Sequence, residues 1–364
     1  MELNMEHKSW FSLFQTDENP IQPKTAECLK EIYDVFARAP DPPIWVTLTR
    51  NTHVLEEDIY IPKSVVQFQG IHSQYEAVQD GRRIIIHFIG KKQNYTEYAK
   101  QMLRVLFVLN HFSDKKCAKR KEFHIYLYMT PLKKLLSQST IGVDNVNSGM
   151  NTRDRHCSQH EETNEIVIYR EEDWFKVFIH ESIHSFRLDF DDPMKEEMTR
   201  IFSVNSEINL FEAYTEFWAK MINMLVCASL MEDNFDGVMK VMNVMVQMDK
   251  QFAVFQVVKI LRHMGLTYGD LLNGTNKYRE GTNVFAYFVL NMCLMNHYND
   301  FIQFCKRESY NILRYNRKKV HLLVDFLKQC HNCKSLRKNI KEMERLSGKD
   351  YLMENLKMTL FELK

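Results

Sequence analysis

WFKVFIHESIHSF, residues 174–186, sets two histidines and a glutamate into an otherwise apolar run. Burying such groups without partners costs on the order of 2–7 kcal/mol each. Hydrogen bonds or a bound ion must offset that cost. His180 and His184 are four residues apart, about one helical turn, so both imidazoles leave the same face and can meet one ion. Glu181 lies about 100° further round the helix than His180. It can reach a water at that ion without being a ligand itself. The H-E-x-x-H pattern thus puts two ligands and a general base on one rigid turn. Imidazole and carboxylate ligands suit Zn2+, with one position left for water. The acids of EED, residues 171–173, suit the start of such a helix.

The chain of 364 residues is long enough for one large domain or two ordinary ones. Hydrophobic residues make up 45%, which supports a sizeable core and excludes global disorder. A formal net charge of +1 gives no general attraction to nucleic acid or membrane. Glycine is scarce and methionine abundant, as suits a helix-rich chain. Cys28, Cys117, Cys157, Cys227, Cys293, Cys305, Cys330 and Cys333 are scattered rather than clustered as in a secreted disulfide scaffold. They are expected to be reduced thiols in an intracellular, cytoplasmic protein. MELNMEHKSWFSLFQ lacks the basic-then-apolar order of a secretory signal. No apolar run reaches the roughly 18 residues of a membrane span.

Working outward from the motif, KTAECLKEIYDVFARA spaces apolar residues for a helix that PDPP stops. IWVTLT, DIYIP, RRIIIHFIG, FHIYLYM and EIVIYR are expected strands, and residues 95–112 a helix. IGVDNVNSGMNTR is expected to be a strand with irregular ends. Beyond about 195 helices follow almost without interruption, over 209–230, 236–264, 282–306, 309–330 and 334–346. The expected domains are an N-terminal α/β extension over 1–75, an α/β subdomain with the HExxH helix over 76–190, and a helical subdomain over 191–364.

A catalytic zinc needs a third protein ligand. A scheme that places a histidine six residues past the second one, with glycine three past it, fails here, because those positions are Phe190 and Arg187. Asp189, Asp191 and Asp192 are near in sequence, but loop acids more often serve turns and helix ends. Glu212 and Glu216, in NLFEAYTEFWAKM, are again one turn apart. With Asn209 as N-cap, Glu212 also fits a capping box. The apolar face of that helix, through Tyr214, Phe217, Trp218, Met221 and Leu225, points away from both glutamates.

His180, Glu181, His184, Glu212 and Glu216, with a β-rich region before them and helices after, resemble the gluzincin metallopeptidases, the thermolysin-like group. The resemblance covers roughly half the chain. It implies an α+β fold with a zincin-like mixed sheet, a backing helix and an active-site helix, followed by a mostly helical subdomain supplying the third ligand. It implies zinc as cofactor, Glu212 as third ligand, Glu216 as hydrogen-bonded to a ligand imidazole, and a peptide or protein as substrate. Phe211 stands where the family often has Asn, and Glu216 where it often has Asp. In glycine scarcity and Asn, Lys and Met content the chain is also similar in style to proteins of large DNA viruses, which implies an infected cell's cytoplasm or the particle.

The family commonly stabilises the oxyanion with a Tyr or His from its C-terminal half. Tyr287 and then Tyr278 are the favoured candidates, ahead of His263 and Tyr268. Arg279 is a candidate for a substrate carboxylate. Zincins hold substrate against a strand edge; VNSGMN, with Asn147, Ser148 and Gly149, is the candidate edge. HCSQH (His156, Cys157, His160) and CHNC (Cys330 to Cys333) each lack the second ligand pair of a structural zinc site. The locally basic stretch over 314–349 is read as solvated helix faces. The competing reading is a non-catalytic helical interaction protein with a structural or vestigial HExxH site.

Overall fold

A computed structural model describes residues 19–49, 61–114, 122–137, 139–151, 163–192, 194–345 and 351–363. Most of DIYIP and all of HCSQH lie outside them. The fold is mixed α+β, with a six-stranded mixed sheet. Helix α1 (Pro23–Ala37) opens the described chain.

One compact unit comprises Lys30–Lys133 and Asn147–Leu188. Its sheet has the order β1-β2-β3-β4-β6-β5. The strands are β1 (Trp45–Thr49), β2 (Ile71–Gln79), β3 (Arg82–Gly90), β4 (Glu122–Tyr128), β5 (Gly149–Asn151) and β6 (Thr163–Ile168). Strands β3, β4 and β6 run parallel, while β1, β2 and β5 pair antiparallel with their neighbours. Parallel strands are covered on both faces and read as continuous apolar runs. IIIHFI in β3 has this character, and Ile84, Ile85, Ile86, Phe88 and Ile89 are all buried. Helix α2 (Thr96–Phe112) makes the crossover that parallel β3 and β4 require. It buries Ala99, Met102, Leu103, Val105, Leu106 and Leu109.

Strand β2 is a correction to the sequence reading, which left it out. Gln79 pairs with Arg82 across a two-residue loop of Asp80 and Gly81, with φ of 52° and 75°. Both positive angles fit a type I′ turn, for which Asp-Gly is a preferred pair. The expected strand over 141–153 is also corrected. Residues Val143–Val146 form a helical turn, and among the described residues the strand is Gly149–Asn151. Asn147 and Ser148 therefore precede β5 rather than form it.

Helix α3 (Trp174–Ser185) follows β6 and packs on β5, β6 and α2. It carries the HExxH residues. Asp173 precedes it in the left-handed region, φ 57°. The expected order from 82 to 188 of strand, helix, strand, strand, strand, helix is present, with the helical turn added before β5. Among the described residues of 1–75, β1 and the start of β2 belong to the same sheet as the rest.

The other unit contains Lys134–Val146 and the chain from Asp189 onward, together with the segment ending at Leu29. Its central helix α4 (Leu210–Ser229) is buried from Leu210 to Ala228, the polar face with Glu212, Glu216, Lys220 and Asn223 included. It packs on α5 (Phe235–His263) and on a π-helical segment, Phe285–Leu290. Lys220 of α4 and Asp249 of α5 pair at 3.0 Å with side chains 3% and 0% exposed. The expected helix over 282–306 is interrupted. After the π segment come α6 (Asn291–Asn296) and, beyond His297, α7 (Tyr298–Glu308). The expected helix over 309–330 begins late, with a 3-10 turn at Arg317–Lys319 and then α8 (Val320–Cys330). Helix α9 (Lys334–Met343) packs on α5. Among the described residues no helix is long and apolar enough to cross a membrane.

Candidate metal centre

The site is built first from α3. Its His180 and His184 are buried, 5% and 7% exposed. Their Nε2 atoms lie 3.1 Å apart, with the rings inclined at 74°. Two nitrogens at the usual zinc–imidazole distance in tetrahedral geometry sit about 3.3 Å from each other. The pair is therefore already close to the spacing of two ligands on one ion. The helix ends at once after His184. Arg187 takes the left-handed conformation, φ 51°, and the amides of Arg187 and Leu188 bond back to the carbonyls of His184 and Ile183. That closing turn satisfies carbonyls at the helix end.

Glu181 is half-buried beside them. The edge strand approaches it closely. A Cβ placed on Gly149 would stand 2.7 Å from Val177 Cγ1 and 3.3 Å from Glu181 Cγ. Asn151 Nδ2 donates to Ser185 Oγ at 2.8 Å, and Ser185 Oγ donates to the Glu181 carbonyl at 2.9 Å. Close packing thus favours glycine at 149, and β5 is fastened to the motif helix.

Glu212 opens α4 and is 4% exposed. The capping-box alternative is not what forms. Asn209 makes no side-chain cap; its Nδ2 donates to Asn283 Oδ1 at 2.7 Å. Asn283 Nδ2 in turn lies 3.4 Å from Glu212 Oε1, a long contact that turns the amide toward the carboxylate. One ligand atom each from His180, His184 and Glu212 lies within 4.8 Å of the others, and all three residues are buried. This group could hold a metal ion. Among the described residues it is the single such set of three His, Cys or acidic side chains. Glu216, one turn after Glu212, is fully buried.

Of the nearby aspartates, Asp192 serves a turn and Asp191 an ion pair. Asp192 Oδ1 accepts from the Met194 amide at 2.9 Å, and Asp191 pairs with Arg317 at 3.1 Å. Of the oxyanion candidates, Tyr278 is fully buried and donates its hydroxyl to Glu280 Oε2 at 2.9 Å. Burial pushes that hydroxyl's pKa well above the ordinary tyrosine value. Tyr268 donates to the His331 carbonyl at 2.8 Å. His263 is exposed, and its Nε2 lies 3.4 Å from the Ser139 carbonyl. Tyr287 is half-buried in the π segment, one turn beyond Asn283, whose carbonyl accepts from its amide at 3.0 Å. Arg279 donates to the Tyr278 carbonyl at 2.8 Å.

Two residues of this region had no mark in the sequence reading. Asn283 stands 71 positions from the glutamate it contacts, and nothing local signals the pairing. Glu280 accepts from Ser206 Oγ, from Tyr278 and from the Phe285 amide at 2.6 Å. Burial raises its pKa to about 7, against the opposing pull of those three hydrogen bonds. An acid followed by an apolar helix was the available signal.

No protein-family model, curated protein or solved structure matches this chain.

Proposed function

We propose that the chain is a zinc-dependent peptidase of the gluzincin type. The observation that carries the reading is the convergence of His180, His184 and Glu212 on one buried point. The donor set of two neutral imidazoles and one carboxylate fits zinc and leaves a fourth position for water. His180 and His184 would bind through Nε2 and Glu212 through its carboxylate. A zinc ion there supplies Lewis acidity and lowers the pKa of water to about 7.

The chain's own residues do the rest. Glu181, on the same turn as the ligand histidines, accepts a proton from the water that attacks a peptide carbonyl and returns it to the departing amine. Tyr287 is the favoured donor to the developing oxyanion, a contribution of about 3 kcal/mol in comparable sites. Tyr278 is the weaker choice, since its hydroxyl is held by Glu280. Glu216 supports a ligand imidazole from the next turn of α4. Strand β5 is the terminal strand of the described sheet. A substrate backbone added along it from the segment Asn147, Ser148 and Gly149 would pass beside Glu181.

A peptide-library cleavage profile of wild type against Glu181→Gln tests the reading. Cleavage by wild type that disappears in Glu181→Gln, with bound zinc retained, is the expected result. Equal profiles from the two proteins would refute it.

A further inference from the structure

We infer that Cys333 is a reactive thiol, modified by peroxide and resolved by Cys330. The inference rests on the CHNC segment, Cys330 to Cys333, and is independent of the metal centre.

Of the described cysteines, five are buried and Cys333 is half-exposed. Its sulfur gathers polar neighbours. His297 Nε2 lies 3.1 Å from Sγ, Ser335 Oγ 3.1 Å, the Leu336 amide 3.4 Å and Asn296 Nδ2 3.8 Å. The Leu336 contact makes Cys333 the N-cap of α9, a role oxygen side chains usually fill. A sulfur that forms an anion during attack is met there by an imidazole, a hydroxyl, an amide N–H and a side-chain amide. Burial lowers the pKa of His297 below the ordinary imidazole value, against the opposing effect of Asp300. The ring is therefore neutral near pH 7, and its Nε2 can receive the thiol proton.

Cys330 ends α8, and the Cys333 amide bonds to its carbonyl at 3.3 Å. A turn closed in this way keeps its end α-carbons within about 7 Å. Disulfides need α-carbons about 4.4–6.8 Å apart. Cys330 is 4% exposed, and burial pushes its thiol well above the usual range. The two sulfurs are thus unequal: one open and surrounded by donors, the other enclosed and protonated. That asymmetry divides the roles of attacking and resolving thiol.

Two other readings fit less well. A hydrolytic Cys–His–Asp relay would need Asp300, but its Oδ2 is 3.8 Å from His297 Nδ1 and the residue is 68% exposed. A metal site would need a third ligand, but His331 directs Nδ1 to the carbonyls of Leu327 and Lys328, and this cluster holds no set of three close donors.

The chemistry closes with hydrogen peroxide as oxidant. The Cys333 sulfur attacks one peroxide oxygen; an S–O bond forms and the O–O bond breaks. His297 takes the thiol proton and passes it to the departing hydroxide, which leaves as water. Sulfur loses two electrons and peroxide gains two. The Cys330 sulfur then attacks the sulfenic sulfur, S–S forms, S–O breaks, and the hydroxyl leaves as a second water with the Cys330 proton.

The test uses the full chain carrying Cys117→Ser and Cys157→Ser, since those two cysteines lie outside the described residues. One equivalent of iodoacetamide at pH 7, read by peptide mass spectrometry, is expected to label Cys333 first. Hydrogen peroxide is expected to give a Cys330–Cys333 disulfide. In Cys330→Ser a dimedone adduct should appear on Cys333 instead. His297→Gln should slow alkylation of Cys333 by about tenfold or more, the loss of a general base. Even labelling across the cysteines, or peroxide products without the 330–333 disulfide, would overturn the inference without any further substitution. An unchanged Cys333 rate in His297→Gln would remove the imidazole from it.

Discussion

Two clusters of ionisable groups, one half-buried and one buried, stand in contrast. Around Glu280, donors converge on an acid: the hydroxyls of Ser206 and Tyr278 and the amide of Phe285. At His180, His184 and Glu212, two imidazoles and a carboxylate bring ligand-type atoms within 4.8 Å of one another. Two imidazole Nε2 atoms 3.1 Å apart share at most one proton between them. The first cluster is completed by its own neighbours. The second is a donor set that suits a cation. Burial of polar groups therefore does not by itself mark a metal centre; the chemistry of the groups brought together distinguishes the two clusters.

The sharpest way to break that contrast is at Glu181. Glu181→Gln should reduce peptide hydrolysis by about 10²–10⁴-fold, the usual range for a general base, while leaving zinc content unchanged. Loss of zinc with activity would instead make Glu181 part of the ion's coordination.

At the self-completed cluster the expected effect is on stability. Burial raises Glu280 from 4.5 to about 7, so the folded chain holds its proton more tightly than the unfolded chain. That contribution is fully present below about pH 4.5, declines as pH rises and is lost above about 7, a change of about 3 kcal/mol. Urea unfolding at pH 5 and pH 8 should show the decline in wild type and a smaller one in Glu280→Gln. Equal declines would show that Glu280 is not the group responsible.

Asn283 joins the two clusters in sequence, lying between Glu280 and Tyr287 and touching Glu212. Asn283→Ala should weaken zinc binding by about tenfold, the lower end for a group that orients a ligand. Competition with a chelator of known affinity measures this. A value unchanged from wild type would leave Asn283 a packing residue.

The smallest effect is expected at Gly149. Gly149→Ala brings a methyl within 2.7 Å of Val177 Cγ1 and should cost about 1 kcal/mol in thermal stability, as modest overpacking does. Adding Val177→Ala should recover part of that loss. No recovery would mean that the strain lies elsewhere.

The motif helix was legible because its chemistry is local: the i, i+4 histidines and the intervening glutamate need one turn and nothing else. Glu212 was harder. Its place on a face away from the aromatic stripe of α4 left a surface or capping role open beside that of a ligand, and the burial of the whole helix removes the surface role. Strand β2 was missed although Asp80 and Gly81 announce its hairpin, because IHSQYEAVQ alternates weakly and carries little β-branched character. The π segment at Phe285–Leu290 has the same apolar spacing as an α-helix and left no trace in periodicity. The turn that starts α8 late, and the contact from Asn283 to Glu212, depend on tertiary packing that local patterns do not encode.

The central claim is that one ion is held by two imidazoles of α3 and the carboxylate that opens α4. Elemental analysis of protein purified without added chelator, for wild type, His184→Ala and Glu212→Ala, tests it most directly. The account predicts close to one zinc per wild-type chain and a large loss in both variants. Wild-type protein without stoichiometric metal, or zinc retained in full by both variants, would contradict it.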